Sequence, residues 1–534
     1  MPQISRDDLI RTLLRPEAYP WNPTSVELVE THMSWVFLAG DRVVKIKRPV
    51  RFGFVDHSGI GQRRFSCEEE VRLNRRLTDG VYLGTVPVGR HGDRLVVGGE
   101  GEPFDWATLM RCLPAERMLD SLLSSGSAPG DLADLLARRL IPFHREAAPR
   151  CDRGTGGSEA AVRAVVTSNL DELRAFAGGP IGAVQFALVE EAMRAFLVDN
   201  APLLRRRVSD GWVREGHGDL RTEHICLDGG VVQIFDCVEF SRAIRCADVA
   251  SDLAFLLMDL GRLGAESIGS GLKERYNEAR IDLPPPLVRF YRAHRALVRA
   301  KIDCLTIAEG LRPHPGLASA AAVHLDLATL SSLTVRPFVI AMTGLSGTGK
   351  STVAAAIARA TGADMVASDV VRKELAGVTG SCPAGWGEGL YGAEWNERTY
   401  ERLLAVAAES LGAGRPAVLD ATFLDERWRE RAVGLASAAS APFLLVETVC
   451  DEQLAAARIA ARSAGGRSAS DADIAVHDRQ RAMRAGSPVA VPSGVVVVRV
   501  DTGTEAGGRL DPVFAALNKA GVLRTHPPAG LTWR

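Results

Sequence analysis

The stretch GLSGTGKST, residues 344–352, decides the fold of the C-terminal part of the chain. It matches the pattern G-x-x-x-x-G-K-[ST] at Gly344, Gly349, Lys350 and Ser351. The apolar run FVIAMT before it predicts a strand, and the alanine-rich residues after it predict a helix. A glycine-rich loop between a strand and a helix is typical of a phosphate-binding loop (P-loop), in which backbone N–H groups and the helix N-terminus hold nucleotide phosphates.

We expect this loop to bind a nucleotide through both its side chains and its peptide groups. Lys350 would neutralise charge during phosphoryl transfer, and the Ser351 hydroxyl would bind Mg²⁺. ATP and Mg²⁺ are therefore the predicted cofactors. The predicted nucleotide-binding residues of the loop are Gly344, Ser346, Gly347, Thr348, Gly349, Lys350, Ser351 and Thr352.

Beyond the loop, the chain alternates apolar runs with longer helical stretches. The runs MVAS, AVLDA, FLLVETV and VVVVRV follow FVIAMT in this order. Continuous apolar strands separated by helices predict a parallel sheet that is covered on both faces. The segment SSLTVRPF at 331–338 interrupts a helical region just before the first strand. We therefore predict two domains, at residues 1–335 and 336–534.

Two candidate catalytic residues follow the second strand, in SDVVRKEL. Asp369 and Arg372 lie at a strand-to-helix junction, at the edge of a parallel sheet where ligands bind. Asp369 could accept the proton of an acceptor hydroxyl, and Arg372 could orient the acceptor or the phosphoryl group. An exposed ion pair on a helix surface is the alternative. After the third strand, Asp420 is the expected acidic partner of Mg²⁺, and Thr422 follows on the same face.

A basic helix supplies two further candidates for nucleotide binding. Arg458 and Arg462 lie four residues apart, hence on one helix face, and a mobile loop is expected at Gly465-Gly466. A lid that brings arginines onto the phosphates would have this pattern. A solvated basic helix face is the alternative.

Together, the motifs GLSGTGKST, SDVVRKEL and VLDATF resemble the small P-loop kinases related to gluconate kinase and the kinase domain of polynucleotide kinase. The resemblance covers about residues 338–504. It implies that this part of the chain is a P-loop kinase domain, with the Asp369–Arg372 pair near the acceptor.

The residues before the loop need a core of their own, because single cores stop growing near roughly 250 to 300 residues. The chain has 64 Lys+Arg against 65 Asp+Glu, a balance that argues against a nucleic-acid partner. No apolar run of about 18 residues and no secretory signal pattern is present in the sequence. Nine cysteines without a CxxC pair are typical of reduced thiols. We therefore expect a cytoplasmic protein without a membrane segment or an obligate protein partner.

The upstream part contains a second pattern of phosphoryl transfer. In GHGDLRTEHICL, at 216–227, Asp219 is the candidate base. After a predicted hairpin at Gly229-Gly230, Asp236 is the candidate metal ligand. The order of base, hairpin and acidic residue is that of a kinase catalytic loop.

Elements further upstream supply the remaining groups of such a site. Residues 35–47 predict two strands joined at Gly40-Asp41, and residues 66–77 predict an amphipathic helix. The candidate phosphate-binding lysine is Lys47 or, one pleat away on the same strand face, Lys45. The other candidates are an ion-pair partner among Glu68, Glu69 and Glu70 and an adenine-contacting hinge at Met110-Arg111.

These residues, over about 25–330, are similar to the aminoglycoside phosphotransferase and choline kinase-like family, which has a protein-kinase-like fold. The whole chain resembles bacterial fusion proteins in which such a domain precedes an ATP-binding P-loop domain. The resemblance implies an α/β and α+β chain, with a protein-kinase-like domain followed by a parallel-sheet P-loop kinase domain. It also implies ATP, Mg²⁺, a small hydroxylated acceptor, Asp219 as base and Asp236 as metal ligand.

Two features depart from that family pattern. His224 stands five residues after Asp219, where the family has Asn, and an imidazole suits Mg²⁺ less well than an amide oxygen. His224 is therefore a candidate metal ligand that admits Mn²⁺ at this site, and Glu239 could compensate. THMSWVF at 31–37 replaces the glycine-rich phosphate loop, so we expect triphosphate binding to be weaker or differently built.

The leading hypothesis is an ATP-dependent phosphotransferase with two nucleotide sites that acts on small hydroxylated molecules, such as sugars or aminosugars. In the alternative, the P-loop domain alone is active, on a small molecule or a polynucleotide 5′-hydroxyl, and the N-terminal domain is a pseudokinase that binds or regulates. The polynucleotide reading lacks the basic stripe that backbone binding needs. A nucleotide-dependent switch without an acceptor is a further alternative, against which the candidate bases Asp219 and Asp369 argue.

Overall fold

The structure is a computed structural model. It describes residues 6–52, 55–91, 94–99, 103–147, 156–310, 316–378, 390, 392–465, 474–484, 494–503 and 509–525. Its strands are β1 Val26–Glu30, β2 Ser34–Ala39, β3 Arg42–Lys47, β4 Arg51–Phe52, β5 Val55–Asp56, β6 Tyr82–His91, β7 Arg94–Val97, β8 Pro103–Arg111, β9 Val213–Glu215, β10 Ile225–Asp228, β11 Val231–Ile234, β12 Cys246–Asp248, β13 Leu333–Val335, β14 Val339–Thr343, β15 Asp364–Ala367, β16 Ala417–Asp420, β17 Phe443–Val449, β18 Val496–Asp501 and β19 Leu523–Thr525.

The helices follow the same order along the chain. They are α1 Arg6–Leu13, α2 Ile60–Asn74, α3 Leu119–Ser124, α4 Leu132–Glu146, α5 Glu159–Arg174, α6 Ala183–Asp199, α7 Ala201–Ser209, α8 Arg242–Arg245, α9 Val249–Arg262, α10 Glu266–Glu278, α11 Pro285–Glu309, α12 Leu317–Ser332, α13 Lys350–Thr361, α14 Ser368–Ala376, α15 Ala393–Gly412, α16 Glu426–Ala438, α17 Glu452–Gly465, α18 Ile474–Arg484 and α19 Asp511–Lys519. Short 3₁₀ turns lie at Pro16–Ala18, Ala115–Arg117 and Thr222–His224.

The first compact unit, residues 1–164 and 201–291, contains an antiparallel sheet of order β1-β2-β3-β8-β6-β7. The predicted strands at 35–47 are confirmed as β2 and β3, and Gly40 supplies the positive φ of their turn, at 67°. Phe37, Val44 and Ile46 have no exposed surface and lie in the core on one side of this sheet. Because successive side chains of a strand point to opposite faces, Lys45 and Lys47 of β3 lie on the other side of the sheet.

Helix α2 packs against β8 and β6. It begins six residues before the predicted start at 66 and ends at Asn74 rather than at 77. The Asn74 side chain donates to Glu70 O and accepts from the Cys237 N–H, at 2.8 and 2.9 Å. An Asn side chain that bonds backbone groups favours a helix end, which explains the shorter helix.

The rest of this unit is mainly helical, as the sequence predicts. The predicted hairpin is confirmed as β10 and β11, and Gly229 and Gly230 turn the chain with φ of 58° and 82°. Helix α9 is apolar over most of its length, and its residues from Val249 to Leu260 are buried. The Asp248 carboxylate caps its N-terminus by accepting from the Ala250 N–H at 2.8 Å.

The second compact unit, residues 165–200 and 292–534, contains a parallel sheet of order β15-β16-β14-β17-β18. All five apolar runs predicted as strands are confirmed, and every pair in this sheet is parallel. Two apolar clusters cover its faces, one with α13 and α19 and the other with α15 and α16. The carboxyl ends of β14, β15 and β16 thus meet at one edge, where the P-loop begins.

The second unit also includes helices from before the predicted boundary at residue 335. Helix α12 packs against α13 and α6. The Asp326 carboxylate on α12 accepts from Arg359 on α13 at 2.6 Å and from Gln185 on α6 at 2.9 Å. The Asp511 carboxylate at the start of α19 accepts from the first N–H groups of α6. Packing therefore groups these helices with the parallel sheet, while the boundary between 335 and 336 stays a prediction from sequence.

In the described part of the chain, no helix is long and apolar enough to cross a membrane. The cysteines at described positions are all free thiols. They are Cys67, Cys112, Cys226, Cys237, Cys246, Cys304 and Cys450.

Candidate active site

The P-loop backbone depends on its glycines. Gly344, Gly347 and Gly349 have φ of 140°, 82° and 85°, which side-chain-bearing residues rarely adopt. A Cβ atom at Gly347 would lie 2.7 Å from the carbonyl oxygen of Ala455 on α17. The glycines at these positions therefore serve both conformation and close packing.

The predicted magnesium ligands come together beneath this loop. The Ser351 side chain lies close enough to the Asp420 carboxylate to act on its pKa, because β14 and β16 are neighbours and both end at this edge. Burial raises the pKa of Asp420 above its ordinary value, and Ser351 and Lys350 offset part of this. The Lys350 amine donates to the carbonyl oxygens of Gly344 and Leu345 at 3.0 and 2.9 Å, at the base of the loop.

One hydroxyl and one carboxylate suit Mg²⁺, which is commonly held by one or two protein oxygens together with phosphate oxygens and water. Within the described residues, no three His, Cys, Asp or Glu side chains converge as a ready-made metal site. The donor set at Ser351 and Asp420 thus fits a metal that arrives with a nucleotide.

Asp369 and Arg372 begin α14 at the same edge of the sheet. Asp369 is partly exposed, and its charge acts on Asp420 and Tyr400. Arg372 is only 5% exposed and donates to the Asn396 side chain at 2.8 Å. It is therefore not part of an exposed surface pair. Asn396 on α15 stands outside every motif, so sequence reasoning missed it.

Thr422, which follows β16, also lies at this edge. Its carbonyl oxygen accepts from the Thr343 hydroxyl at 2.8 Å, and its hydroxyl lies 3.4 Å from the Tyr400 hydroxyl. The Tyr400 hydroxyl also accepts from the Phe423 N–H at 3.2 Å. Tyr400 thus connects α15 to the segment after β16.

The predicted lid arginine Arg458 lies close to the P-loop. It donates to the hydroxyl and carbonyl oxygens of Thr502, both at 2.8 Å, and the Thr502 hydroxyl donates to Thr348 O at 2.8 Å. Arg458 is therefore tied to the loop rather than spread over a solvated face. Arg462 lies one turn further along α17 and is half-buried. The expected mobile loop reaches Gly466, which lies outside the described residues.

Helix α18 also contacts the P-loop, a feature without a sequence signal. The Nδ1–H of His477 donates to Ser346 O at 2.7 Å, and the Ser346 N–H donates to Gln480 Oε1 at 2.8 Å. Both side chains are buried. The backbone N–H and C=O groups of one loop residue, Ser346, are thus both held by one helix.

In the first unit, two lysines of β3 surround the Glu70 carboxylate. Lys45 lies 2.7 Å from Glu70 Oε1, and Lys47 lies 2.7 Å from Glu70 Oε2. Lys45 also reaches Asp236 Oδ1 at 2.6 Å, while Lys47 pairs with Glu239. Lys45 is thus the lysine that joins the helix glutamate to the predicted metal ligand.

Electrostatic interactions within this cluster favour the charged forms of the Lys45 and Asp236 side chains. Burial opposes the charge on Lys45, but Asp236 and Glu70 together raise the pKa of Lys45 well above its ordinary value. Burial likewise opposes ionisation of Asp236, but Lys45 and His224 hold the pKa of Asp236 well below its usual range. The φ of Asp236 is 63°, a conformation unusual for a residue with a side chain, and the Asp236 N–H donates to the Tyr82 hydroxyl.

The predicted base Asp219 lies beside an arginine. Arg221 donates to both oxygens of the Asp219 carboxylate, at 3.0 and 3.1 Å. His224 lies between the two acidic residues: its Nδ1 donates to Asp219 O at 2.9 Å, and its Nε2 lies 3.6 Å from Asp236 Oδ2. The Nε2 atom also lies 3.3 Å from the Arg221 guanidinium, so the imidazole contacts the side chains of both Arg221 and Asp236. Glu239, the candidate substitute ligand, is instead paired with Lys47.

A buried aspartate on α9 orders the loop that carries Asp219. The Asp252 carboxylate accepts from the N–H groups of His217 and Gly218. Burial opposes its ionisation, but His144 and His217 hold the pKa of Asp252 well below its usual range. Sequence reasoning missed Asp252, because it lies in an apolar helix more than 30 residues beyond the loop that it orders.

The remaining candidates of this unit lie on its sheet. Met110 is in β8, and together with Phe235 it packs against the cluster of Val71 and Tyr82. In place of a glycine-rich loop, Thr31 turns the chain between β1 and β2, with its hydroxyl accepting from the Ser34 N–H at 2.9 Å. The roles predicted for these residues stay predictions.

Three comparisons with known proteins bear on these sites. Residues 339–486 match the family described as AAA domain, which covers the P-loop and both helices that contact it. Aminoglycoside 2′-phosphotransferase-IIIa is similar in structure over 57% of this chain and 92% of its own, with 15% identity and a TM-score of 0.35. A choline/ethanolamine kinase family protein of Mesorhizobium loti is similar over 61% of this chain and 94% of its own, with 15% identity and a TM-score of 0.39. A gluconokinase of Sinorhizobium meliloti 1021 is 21% identical, over 35% of this chain and 94% of its own, with a TM-score of 0.25.

The antiparallel sheet of the first unit and the parallel sheet of the second agree with the predicted fold class, and the family match over residues 339–486 covers the predicted P-loop domain. The uncharacterized protein Rv2004c of Mycobacterium tuberculosis is 33% identical over 455 residues, which are 84% of this chain and 89% of that protein. This chain therefore belongs to the family of Rv2004c, over most of the length of both proteins.

Proposed function

We propose that this chain is an ATP- and Mg²⁺-dependent phosphotransferase that transfers the γ-phosphoryl group to a hydroxyl of a small molecule, with its principal site at the P-loop. The observation that carries this proposal is the placement of Ser351 and Lys350 beside the Asp420 carboxylate, at the edge where Asp369 also lies. A hydroxyl, a metal-binding carboxylate and a second carboxylate at one strand edge are the groups that phosphoryl transfer needs.

Each residue has a separate task in this proposal. The P-loop N–H groups and Lys350 bind the phosphates, and Ser351 and Asp420 would hold Mg²⁺, which when bound neutralises phosphate charge. Asp369 accepts the proton of the acceptor hydroxyl. Arg372, which Asn396 holds in place, orients the acceptor or the transferred group.

The acceptor that we propose is a sugar or an aminosugar. The resemblance to gluconate kinase and to aminoglycoside phosphotransferases motivates this choice. A polynucleotide 5′-hydroxyl is the alternative acceptor, but a chain with net charge −1 lacks the excess of basic residues that typically accompanies backbone binding.

The first unit is proposed as a second nucleotide site. A specific observation favours the alternative that it is a pseudokinase: Arg221 binds both oxygens of the Asp219 carboxylate, and His224 rather than Asn stands beside Asp236. A base held by a guanidinium is a weaker proton acceptor. Lys45, Glu70 and Asp236 still form the contacts that orient a nucleotide in an active kinase.

The test is ADP release by the full chain with Mg²⁺ or Mn²⁺, against sugars, aminosugars, aminoglycosides and 5′-hydroxyl oligonucleotides. Wild type is compared with Lys350→Ala, Asp219→Asn and the charge-matched control Lys519→Ala, an exposed lysine of α19. Loss of turnover in Lys350→Ala but not in Lys519→Ala supports the P-loop site. If Asp219→Asn abolishes turnover of a different acceptor, both sites are active. No turnover of any acceptor by wild type, with nucleotide bound, would favour a switch.

A further inference from the structure

We propose that His477 and Gln480 are positioning residues of the P-loop nucleotide site and that α18 covers the phosphate end of the loop. This inference rests on the proposed nucleotide site. It adds a helix to that site which no motif of the sequence marks.

The contact involves both backbone polar groups of one residue, Ser346. His477 donates to the carbonyl oxygen of Ser346 at 2.7 Å, and Gln480 accepts from its N–H at 2.8 Å. The two side chains are three residues apart on α18 and hence on one helix face. They are 4% and 3% exposed, so water does not compete with these hydrogen bonds.

The loop is thereby fixed at two places. On the α18 side, the two hydrogen bonds orient Ser346, the residue before Gly347. On the β18 side, the Thr502 hydroxyl bonds Thr348 O. The peptide groups between these anchors are the ones that cradle phosphate, and ordering them before the nucleotide arrives lowers the entropic cost of binding.

The chemistry of Gln480 fits a position beside phosphate. Its amide oxygen accepts a hydrogen bond without carrying a negative charge, whereas a carboxylate at the same place would repel phosphate oxygens. The exposed side of the helix is tied to α17, where Arg481 pairs with Glu452 at 2.8 Å. Both helices that border the loop are therefore connected to one another.

The first experiment measures binding of ADP and of a non-hydrolysable ATP analogue to the full chain by titration calorimetry. Gln480→Ala is expected to raise both dissociation constants about three- to tenfold, the loss expected of about one hydrogen bond. Gln480→Glu keeps an acceptor for the Ser346 N–H but adds a negative charge. It should therefore weaken binding of the ATP analogue more than binding of ADP. Added salt should reduce that difference. The control is Ala475→Glu, the same charge on the exposed face of α18.

The second experiment distinguishes a role of His477 in positioning the P-loop from a role in folding alone. His477→Asn retains an N–H donor near the place of Nδ1, whereas His477→Leu does not. We expect the Asn variant to recover most of the wild-type affinity and the Leu variant to resemble Gln480→Ala. In turnover assays, KM for ATP should rise while KM for the acceptor stays unchanged.

Two results would overturn the inference. Tighter binding in Gln480→Ala would mean that Gln480 competes with a phosphate oxygen for the Ser346 N–H, and unchanged binding would reduce the contact to packing. Failure of wild type to bind nucleotide at all would instead refute the proposed function, so the two failures are distinguishable.

Discussion

The amine of Lys45 lies 2.7 Å from the Oε1 atom of Glu70, a carboxylate without exposed surface. The other oxygen of the same carboxylate lies 2.7 Å from Lys47. One buried glutamate thus orders two cations, but only Lys45 continues to Asp236. The sequence offered both lysines, and this geometry places Lys45 better than Lys47 for contact with a nucleotide phosphate.

Replacing the two lysines should have different effects. In a Lys350→Ala background, which removes the P-loop site, Lys45→Met is expected to raise the dissociation constant of ADP at the first unit about tenfold or more. Lys47→Met leaves Glu239 buried without its cation, so the free energy of unfolding should fall by about 3 kcal/mol or more. Denaturant unfolding and calorimetric binding measure the two effects. Equal loss of ADP binding in both variants would contradict the assignment to Lys45.

The residue at position 224 should set the metal preference of the first unit. In His224→Asn, an amide oxygen replaces an imidazole nitrogen beside Asp236, and Mg²⁺ prefers oxygen. We expect the ratio of Mg²⁺- to Mn²⁺-supported turnover at this unit to rise, measured in the Lys350→Ala background. The control is His324→Asn, in the second unit. An unchanged ratio would show that His224 does not face the metal.

The backbone of the P-loop should not tolerate a side chain at residue 347. Gly347→Ala places a Cβ atom 2.7 Å from Ala455 O at a φ of 82°. The loop must shift, so we expect affinity for ATP to fall about tenfold or more. Gly434→Ala is the control, because its Cβ atom meets nothing within 4 Å and α16 should gain about 0.5 to 1 kcal/mol. Unchanged nucleotide binding by Gly347→Ala would contradict this account of the loop.

Stability of the second unit should depend on pH through Asp326. Burial raises the pKa of this carboxyl from 3.8 to about 6, although Arg359 and Gln185 oppose the shift. Between these values the folded state binds more protons than the unfolded state, so stability declines as pH rises from about 4 to 6. The shift corresponds to about 3 kcal/mol.

The comparison variant for this effect is Asp326→Asn, which cannot titrate. The unfolding free energy of wild type minus that of the variant should decrease as pH rises through this window and level off above about pH 6. Asp425→Asn, at an exposed helix cap, is the control. A difference that is flat with pH would show that Arg359 keeps Asp326 ionised throughout.

The sequence predicted the parts of the fold that local pattern determines. The five strands of the parallel sheet are continuous apolar runs, and the P-loop motif requires its strand and helix at fixed offsets. Gly40 and Gly229-Gly230 marked hairpins because tight turns need positive φ. These signals lie within a few residues of what they specify.

Residues that act across long separations were not predictable in this way. Asp252 orders the loop at His217 from an otherwise apolar helix, and Asn396 holds Arg372 from 24 residues away. Gln480 meets Ser346 across 134 residues. Such contacts depend on packing, and the side chains concerned look like ordinary surface or helix residues when read along the chain.

Helix α12 packs against α13, the helix that follows the P-loop, and α6 packs against α12. These contacts determine where the chain could be shortened without loss of packing. A shorter protein that begins at the first strand of the parallel sheet would keep every nucleotide-binding motif but would uncover the outer side of α13 and leave Arg359 without Asp326. We therefore expect recombination that moves the motif alone to yield a less stable product. The compact C-terminal unit of this chain therefore includes the preceding helices α6 and α12.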